Sequence, residues 1–286
     1  MGMQINTNLA ANNTYRNLAS TQTDMAKSLE RLSSGLRINR AADDAAGLAI
    51  SEGLKSQVGG LTVASRNAQD AVSVIQTAEG SLSEVQTILQ RVRDLAVQAG
   101  NDSNSPESRA AITTEVSALA DELVRIGDST NFNGAALLDG SAGTAGVMSF
   151  QIGAGGGAEN QIEVDLTGTG TNISALGAAL KTAIVTADGF ASSDVAATTI
   201  GVVDTAIKNV STSRAELGAA QNRFESVIRN LAVSKENLTA AGSRIRDTDM
   251  AEEMVKYTRS SILSQAGTAM LAQANQSNQG VLTLLR

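Results

Sequence analysis

The sequence predicts a mainly α protein: a long antiparallel helical bundle or coiled-coil rod made by pairing the N- and C-terminal segments, with a small β-hairpin in the middle. The first observation behind this prediction is an alternation of three- and four-residue steps near both ends, which keeps one helix face toward a partner. The positions in these two seams are Tyr15, Leu18, Gln22, Met25, Leu29, Leu32, Leu36 and Ile200, Val203, Ile207, Val210, Arg214, Leu217, Gln221, Phe224, Ile228, Leu231, Lys235, Leu238.

The second observation is the composition. The 286 residues include two Tyr, four Phe and one Pro, and there is no Trp, Cys or His. Ala, Leu, Val and Ile must therefore form the core, which suits closely packed helices. The lack of His and Cys removes most metal sites and most nucleophile–base pairs, so we expect no catalytic residue, no metal and no cofactor.

The charge is unevenly distributed. The net charge of −7 argues against nucleic acid as a partner. Residues 1–40 carry five basic and two acidic side chains, a net charge of +3, and residues 244–286 carry five and four, a net charge of +1, which leaves −11 on residues 41–243. If many copies pack together, the near-neutral ends can crowd at the centre while the acidic middle faces water.

The N-terminus has neither a basic region nor an apolar stretch of the kind found in secretory signals, and no stretch qualifies as a membrane helix. We therefore expect no membrane partner and no cleaved signal peptide. Residues 260–285 carry no charge, yet their Gln and Asn residues make them too polar for hydrocarbon, which suits a tightly packed protein interface.

Helix signals divide the chain into segments. We predict a first helix from about Asn8 to Leu32 that ends near Gly35, a second from about Asp44 to Gln98, and a third over 105–127 that closes at Gly127. The long returning helix is predicted over about 195–241. Asp249 and Glu252 form a capping-box pattern that opens the last helix.

The middle of the chain has the sequence signals of strands and turns rather than those of long helices. Two alternating runs separated by glycines at 153–157 predict a β-hairpin, and residues 131–134 and 139–140 have turn composition. Residues 167–195 are rich in Gly, Thr, Ser and Ala and receive no assigned element. We expect a discontinuous inner coiled-coil domain formed by 1–42 with 244–286. The outer helical-bundle domain is expected over 43–243, and it includes the hairpin and the Gly/Thr-rich segment at about 141–195.

Three motifs have an alternative chemical interpretation. Asp43 and Asp44 are adjacent on a helix and have no accompanying base, so helix-start acids are favoured over a catalytic dyad. The glycine run lacks the Lys-Ser/Thr ending of a phosphate loop, which favours a hairpin tip. Arg31, Arg37 and Arg40 lack interleaved aromatics, which favours ion pairs between helices over nucleic-acid binding.

The terminal segments would each have only one partner within the chain, which leaves apolar faces uncovered. Faces of that length are tolerated if other subunits bury them or if the ends stay unfolded in the monomer. We therefore predict intersubunit packing by residues from both ends, namely Leu18, Met25, Leu29, Leu32, Leu36, Met254, Leu271, Leu282 and Leu285.

Several sequence motifs resemble those of bacterial flagellin, both in their residues and in their order along the chain. They occur at 5–8 (INTN), 32–39 (LSSGLRIN), 41–50 (AADDAAGLAI), 131–134 (NFNG), 243–252 (SRIRDTDMAE) and 281–286 (VLTLLR). The resemblance covers roughly residues 1–150 and 195–286. It implies a non-enzymatic subunit that self-assembles into the extracellular flagellar filament used for swimming. Its terminal helices would fold on incorporation, and this chain would lack a separate variable outer domain.

The resemblance also implies partners. It implies export in an unfolded state through the flagellar type III channel, an export chaperone at the C-terminal segment, and contacts with the filament cap and the hook–filament junction proteins. In many flagellins the segment that matches residues 90–95 binds the Toll-like receptor that senses flagellin, helped by an acid on the next helix. Arg91, Leu95 and Glu115 match those positions, while Asp94 stands where Glu is commoner.

Two other identities remain open from the sequence. A hook–filament junction (hook-associated) protein has flagellin-like ends, and the full set of flagellin words at both termini disfavours it. A secreted enzyme or adhesin on the same scaffold is disfavoured because the short Gly- and Thr-rich middle offers no catalytic cluster.

Overall fold

The structure, a computed structural model, describes residues 8–185, 189–190 and 192–284. The mainly α prediction is confirmed, and the β-hairpin is present. In chain order the elements are α1 (Leu9–Ser34), α2 (Ala45–Ala99), α3 (Pro106–Ser129), β1 (Asn131–Phe132), β2 (Ala135–Ala136), β3 (Val147–Gln151), β4 (Gln161–Asp165), α4 (Ile173–Val185), α5 (Ser193–Arg246) and α6 (Met250–Leu284).

Side-chain caps start several of the helices. The Asn8 carboxamide oxygen accepts a hydrogen bond from the Ala11 amide at 2.9 Å. The Ser105 hydroxyl accepts one from the Ser108 amide, in the first turn of α3, at 3.2 Å. Asp249 accepts from the first amides of α6, as predicted. Glu252 completes no capping box and instead pairs with Lys256 at 2.8 Å. These caps satisfy amides that have no partner inside a helix.

The chain divides into two compact units, one containing residues up to Gln57 and from Glu236 onward, the other Val58–Lys235. The boundaries expected from the sequence, after residue 42 and after residue 243, lie closer to the chain ends. The second unit contains a continuous apolar core supplied by α2, α3, α4, α5 and the hairpin. Most of its buried residues along α2 follow an uninterrupted 3–4 alternation, and Val74 and Leu95 are buried beside this series. The series is Ala64, Ala68, Ala71, Ile75, Ala78, Leu82, Val85, Leu89, Val92, Ala96 and Ala99.

Over the first part of α5, the seam differs from the predicted one by one residue at every second position. Val203, Val210, Leu217, Phe224 and Leu231 are buried as predicted. Three of the positions predicted between them, Ile200, Ile207 and Arg214, are only half-buried, and the smaller residue just before each is buried instead. The buried small residues are Thr199, Ala206 and Ser213. Closely approaching helices leave room for small side chains in the seam, so bulkier neighbours occupy its flank.

The β-hairpin of β3 and β4 lies against α5. The two strands are antiparallel with Phe150 opposite Ile162, and the glycine run 153–157 lies between them, as predicted for a hairpin tip. The Phe150 ring meets the Phe224 ring edge to face at a centroid separation of 5.7 Å. A buried aromatic pair of this geometry stabilises beyond the area it buries, so it fixes the hairpin on the helix.

A second, very short hairpin follows α3. Asn133 and Gly134, with φ angles of 50° and 83°, form the two-residue turn between β1 and β2. Positive φ at both positions matches the right-handed twist of a hairpin, and Asn-Gly is the sequence that adopts it most easily. The turn predicted at 131–134 is confirmed.

One expectation for the middle of the chain was wrong, and one stretch without an assigned element contains a helix. Gly127 does not close α3, because the helix continues to Ser129 and Gly127 is buried within it. The segment that received no element contains α4, which packs on α3 at this point. A Cβ at Gly127 would lie 2.5 Å from the Ser174 amide nitrogen, so this glycine permits the close approach of the two helices.

We predict opposite effects of alanine at two helical glycines. Gly127→Ala should lower the free energy of unfolding by about 1–3 kcal/mol, because α4 backbone atoms occupy the space that the methyl group needs. Gly218→Ala, where a Cβ meets nothing within 4 Å, should raise it by up to about 1 kcal/mol. Urea unfolding followed by circular dichroism measures both changes, and an equal rise in the two variants would contradict the close packing of α3 on α4.

Candidate functional site

The two terminal helices, α1 and α6, form an antiparallel pair within the first unit. At one end the Asn8 side-chain amide donates to the Ala274 carbonyl at 3.0 Å. At the other end the connectors that precede α2 and α6 form a short β-bridge between Leu36 and Asp247. The Arg37 amide donates to the Arg246 carbonyl at 2.7 Å within this bridge. Backbone hydrogen bonds therefore join the connector that follows α1 to the connector that precedes α6.

The interior of this pair is polar. Among the described side chains of α1 and of α6, which extend to Gln276, the buried ones are Ser28 and Glu253. The half-buried positions facing the partner helix are mostly small or polar, and they are Ala11, Thr14, Leu18, Thr21, Met25, Arg31 and Leu32 on α1, with Tyr257, Ser260, Ser264, Gly267, Leu271 and Ala274 on α6. The pair thus buries little of the apolar surface that usually stabilises packed helices.

Most of the described large apolar side chains of α6 point to solvent instead. We call Met254, Val255, Ile262, Leu263 and Met270 the outward stripe, and all five are exposed, Ile262 to 61%. Four of them, with Thr258 and Arg259, line an open groove of about 420 Å³. Contiguous exposed apolar side chains on a helix mark a surface that another chain covers. On α1, Leu9, Tyr15 and Leu29 are exposed in the same way.

The predicted packing residues fall into three groups. Leu18, Met25, Leu32, Leu36 and Leu271 are half-buried. The second group is exposed, with Leu29 at 55% and Met254 at 52%. In the third group, the backbone of Leu282 lies in α6, while Leu285 lies outside the described residues.

The sequence analysis did not identify the rest of the outward stripe. Val255 and Ile262 are one heptad apart, as are Leu263 and Met270. These two seven-residue steps are a signal of a second apolar face on the last helix. The helix is apolar on more than one side, so a single-seam interpretation of its sequence is incomplete.

Charged residues around the first connector have structural partners. Arg31 lies 3.9 Å from Glu253 on α6, and Arg40 pairs with Glu30 at 2.9 Å. The Arg37 guanidinium donates to the Ile245 carbonyl at 2.7 Å. Arg31 therefore forms an ion pair between helices, as predicted. The Arg37 side chain instead donates a hydrogen bond to a backbone carbonyl.

The two adjacent acids have separate structural roles. The Asp44 carboxylate accepts from the Gly47 amide at 2.9 Å and so caps α2. The amides of Arg40 and then Asn39 donate to Asp43, and these hydrogen bonds hold the pKa of that carboxyl below its usual range. The prediction of helix-start acids is confirmed for Asp44, while Asp43 stabilises the connector.

The predicted receptor-binding residues separate into two environments. Arg91 on α2 and Glu115 on α3 are exposed and form an ion pair, with the Arg91 Nη2 atom 2.6 Å from the Glu115 carboxylate. Leu95 is 3% exposed and belongs to the apolar core. Its side chain therefore supports the α2 backbone from inside and presents no surface to a partner. The exposed apolar residue near it is Val97.

Within residues 8–185, 189–190 and 192–284, no group of acidic side chains is arranged to hold a metal ion. Over the same residues, no helix combines the length and apolarity needed to cross a membrane. The described surface of the paired ends presents exposed apolar side chains beside hydrogen-bonding groups.

These features define a class of protein: an α-helical subunit whose paired ends expose apolar surface for association. The model of the bacterial flagellin N-terminal helical region matches residues 5–143, and that of the bacterial flagellin C-terminal helical region matches residues 200–285. The flagellin of Halalkalibacterium halodurans is 50% identical over 284 residues, with 99% of this chain and 100% of the relative covered. The flagellin of Bacillus subtilis is 50% identical over 314 residues, with the same coverage. The chain belongs to the bacterial flagellin family.

A solved structure shows the same fold in another flagellar protein. It is assigned as a flagellar hook-associated protein from Vibrio parahaemolyticus, and it is 16% identical with a TM-score of 0.55 over 72% of this chain and 100% of that one. This likeness concerns the fold alone. The relatives at 50% identity are flagellins, so the hook-associated alternative is not better supported, and the chain is a structural subunit of the flagellar filament.

Proposed function

We propose that the chain joins the extracellular flagellar filament by folding and packing its terminal helices between neighbouring copies of itself. One observation carries this proposal. The described side chains that are buried between α1 and α6 are polar, whereas the outward stripe is apolar and exposed. Neighbouring subunits supply the cover that the single chain lacks.

The energetics favour folding that is coupled to assembly. Ordering the backbone of α1 and α6, which contain 26 and 35 residues, has a conformational-entropy cost that the burial of apolar surface must exceed. Complete burial of one large apolar side chain returns about 1.5–3 kcal/mol. The five members of the outward stripe, with Leu9, Tyr15 and Leu29, can contribute this term only when a neighbour covers them.

The charge distribution supports the same arrangement. Net charges of +3 and +1 on the two terminal segments allow many copies to approach closely, whereas the −11 on residues 41–243 would repel if crowded. We infer that the terminal segments lie toward the filament centre and the acidic middle toward water.

The proposal includes the route by which the subunit reaches the filament. An unfolded chain without disulfides suits export through the flagellar type III channel, and the exposed stripe of α6 suits cover by an export chaperone before export. The filament cap and the hook–filament junction proteins are the further partners that we propose, through the same terminal helices.

Assembly should depend on the apolarity of the outward stripe. Ile262→Asp should abolish sedimentable filaments, because a carboxylate buried between subunits without a partner costs several kcal/mol. Ile262→Leu keeps the apolar surface and is the matched control, which should assemble normally. Both variants should retain the parent unfolding transition of the second unit. Filaments of normal yield from Ile262→Asp would overturn the proposal.

Protease sensitivity should report the coupling of folding to assembly. In the free subunit, trypsin should cut first at terminal sites such as Lys27, Arg31 and Lys256, because the pair that contains them buries so little apolar surface. The same sites should be protected in the filament, while Val58–Lys235 should resist cleavage in both states. Equal protection of the ends in monomer and polymer, measured by mass spectrometry, would contradict this coupling.

A second proposed function is recognition of the free subunit by the flagellin-sensing Toll-like receptor. The observation that favours it is the exposed pair of Arg91 and Glu115, which presents both charges on adjacent helices. The buried Leu95 would contribute by holding this part of α2 in place. Because we propose that the same face contacts neighbouring subunits, the filament should be a poor agonist.

Substitutions at two exposed arginines on α2 should have different effects on receptor activation. Arg91→Ala should reduce the potency of the monomer in a reporter-cell assay about tenfold or more, since removing one partner of an interfacial charge pair is costly. Arg93→Ala is the matched control, because Arg93 pairs with Asp204 on α5 rather than with α3. The control should change potency by less than about threefold. Equal responses from both variants would show that the Arg91 face is not the receptor site.

A further inference from the structure

The apolar contacts between α1 and α6 do little to fix how the two helices are aligned along their axes. On α6, Ser260, Gly267 and Ala274 are spaced by seven residues and face α1. Moving α6 by one heptad would therefore place another small side chain in the space that Gly267 now occupies. Hydrophobic packing alone discriminates poorly between such registers, so polar contacts, which include the backbone bridge between Leu36 and Asp247, must select one of them.

Contacts along the seam define the observed register. A Cβ at Gly267 would lie 3.2 Å from the Leu18 Cδ1 atom, so Leu18 sits directly against the glycine backbone. Further toward the connectors, Arg31 approaches Glu253. As the residue number rises along α1, the facing number falls along α6, which is the pattern of one continuous antiparallel alignment.

Glu253 differs from every other seam position because it is a charged residue in a buried place. Its side chain is 4% exposed, with Arg31 Nη1 at 3.9 Å from one carboxylate oxygen and Lys256 Nζ at 3.6 Å from the other. Oε1 has no hydrogen-bond partner. A buried carboxylate is tolerated when cations lie close to it and is strongly unfavourable when they do not. Glu253 is not needed to cap α6, since the Asp249 side chain does so.

The alternative registers remove the cation on α1. If α6 shifts by one heptad in one direction, Glu253 reaches the level of Asp24, and two like charges then meet. In the other direction it moves past Ser34, where α1 ends, and so leaves Arg31 as well. Both shifts separate the carboxylate from Arg31, so both are disfavoured by the same residue.

We infer that Glu253 is a specificity-determining residue that fixes the register of the terminal helices as they fold into the filament. This inference rests on the proposed function, because it concerns the packed state of those helices. The cost of burying one carboxylate is accepted in exchange for a single alignment, which is the best-supported role of an isolated polar group in a helical seam.

Engineered disulfides can measure the register, because the chain contains no cysteine. A Cβ at position 267 would lie 3.8 Å from the Leu18 Cβ, which matches disulfide geometry. Leu18→Cys with Gly267→Cys therefore reports the observed register. Leu18→Cys with Ser260→Cys, and Leu18→Cys with Ala274→Cys, report one-heptad shifts, because seven residues displace a helix by about 10 Å, beyond the reach of a disulfide.

The three cysteine pairs are oxidised in assembled filaments, with and without Glu253→Leu. With Glu253 present, we expect the Gly267 pair to form an intramolecular disulfide and the two shifted pairs to form none. With Glu253→Leu, we expect loss of part of the Gly267 disulfide and the appearance of a shifted one, scored by mobility on a denaturing gel. An unchanged pattern in filaments of Glu253→Leu would overturn the inference and leave the proposed function intact.

If Glu253→Leu does not assemble, exchanging the two charges tests the inference in another way. The double variant Arg31→Glu with Glu253→Arg restores an opposite-charge pair at the same level and should restore both filaments and the Gly267 disulfide, whereas Arg31→Glu alone should not. Failure of the double variant to restore either would overturn the inference. If the cysteine pairs do not assemble even with Glu253 present, while the cysteine-free parent also fails, the proposed function itself is wrong.

Discussion

The close approach of neighbouring helices is the constraint on which the rest of this structure depends. Where two long helices meet, the space between them accommodates small side chains, and Ala206 and Ser213 on α5 occupy it. Bulkier residues one position away, such as Ile207, move to the flank. With few aromatic residues and many Ala, Gly, Ser and Thr, the chain is suited to this kind of packing. Some large apolar side chains, such as Ile207, therefore lie at the edges of seams.

The same constraint has different consequences in the two compact units. In Val58–Lys235 several helices and a hairpin surround one core, so that Leu82, Leu123 and Phe224 are fully buried within the chain. The terminal pair has only two helices, and its displaced apolar residues remain uncovered. A unit with its own apolar core is thereby joined to terminal helices whose apolar residues stay exposed within the single chain. This incomplete burial supports the proposal that neighbouring subunits cover the terminal helices.

Local signals in the sequence were reliable where one residue decides the conformation. Asn8, Ser105 and Asp249 cap the helices that they were predicted to begin, and Asn133-Gly134 forms the predicted turn. The signals failed where small residues were interpreted as breaks. Gly127 was taken for a helix end, and the segment containing α4 received no element, because glycine and alanine at a tight helix crossing have the same composition as a loop.

The sequence by itself determined the helical class, the 3–4 periodicity, the caps, the hairpin and the flagellin resemblance, because each depends on residue type and spacing along one chain. Only the tertiary structure decided which of two adjacent residues enters a seam, since neighbours on a helix differ by about 100° and either can lie near the partner. It also placed Leu95 in the core, Glu253 between the terminal helices and Ile262 in solvent. Those positions depend on how closely the helices approach one another.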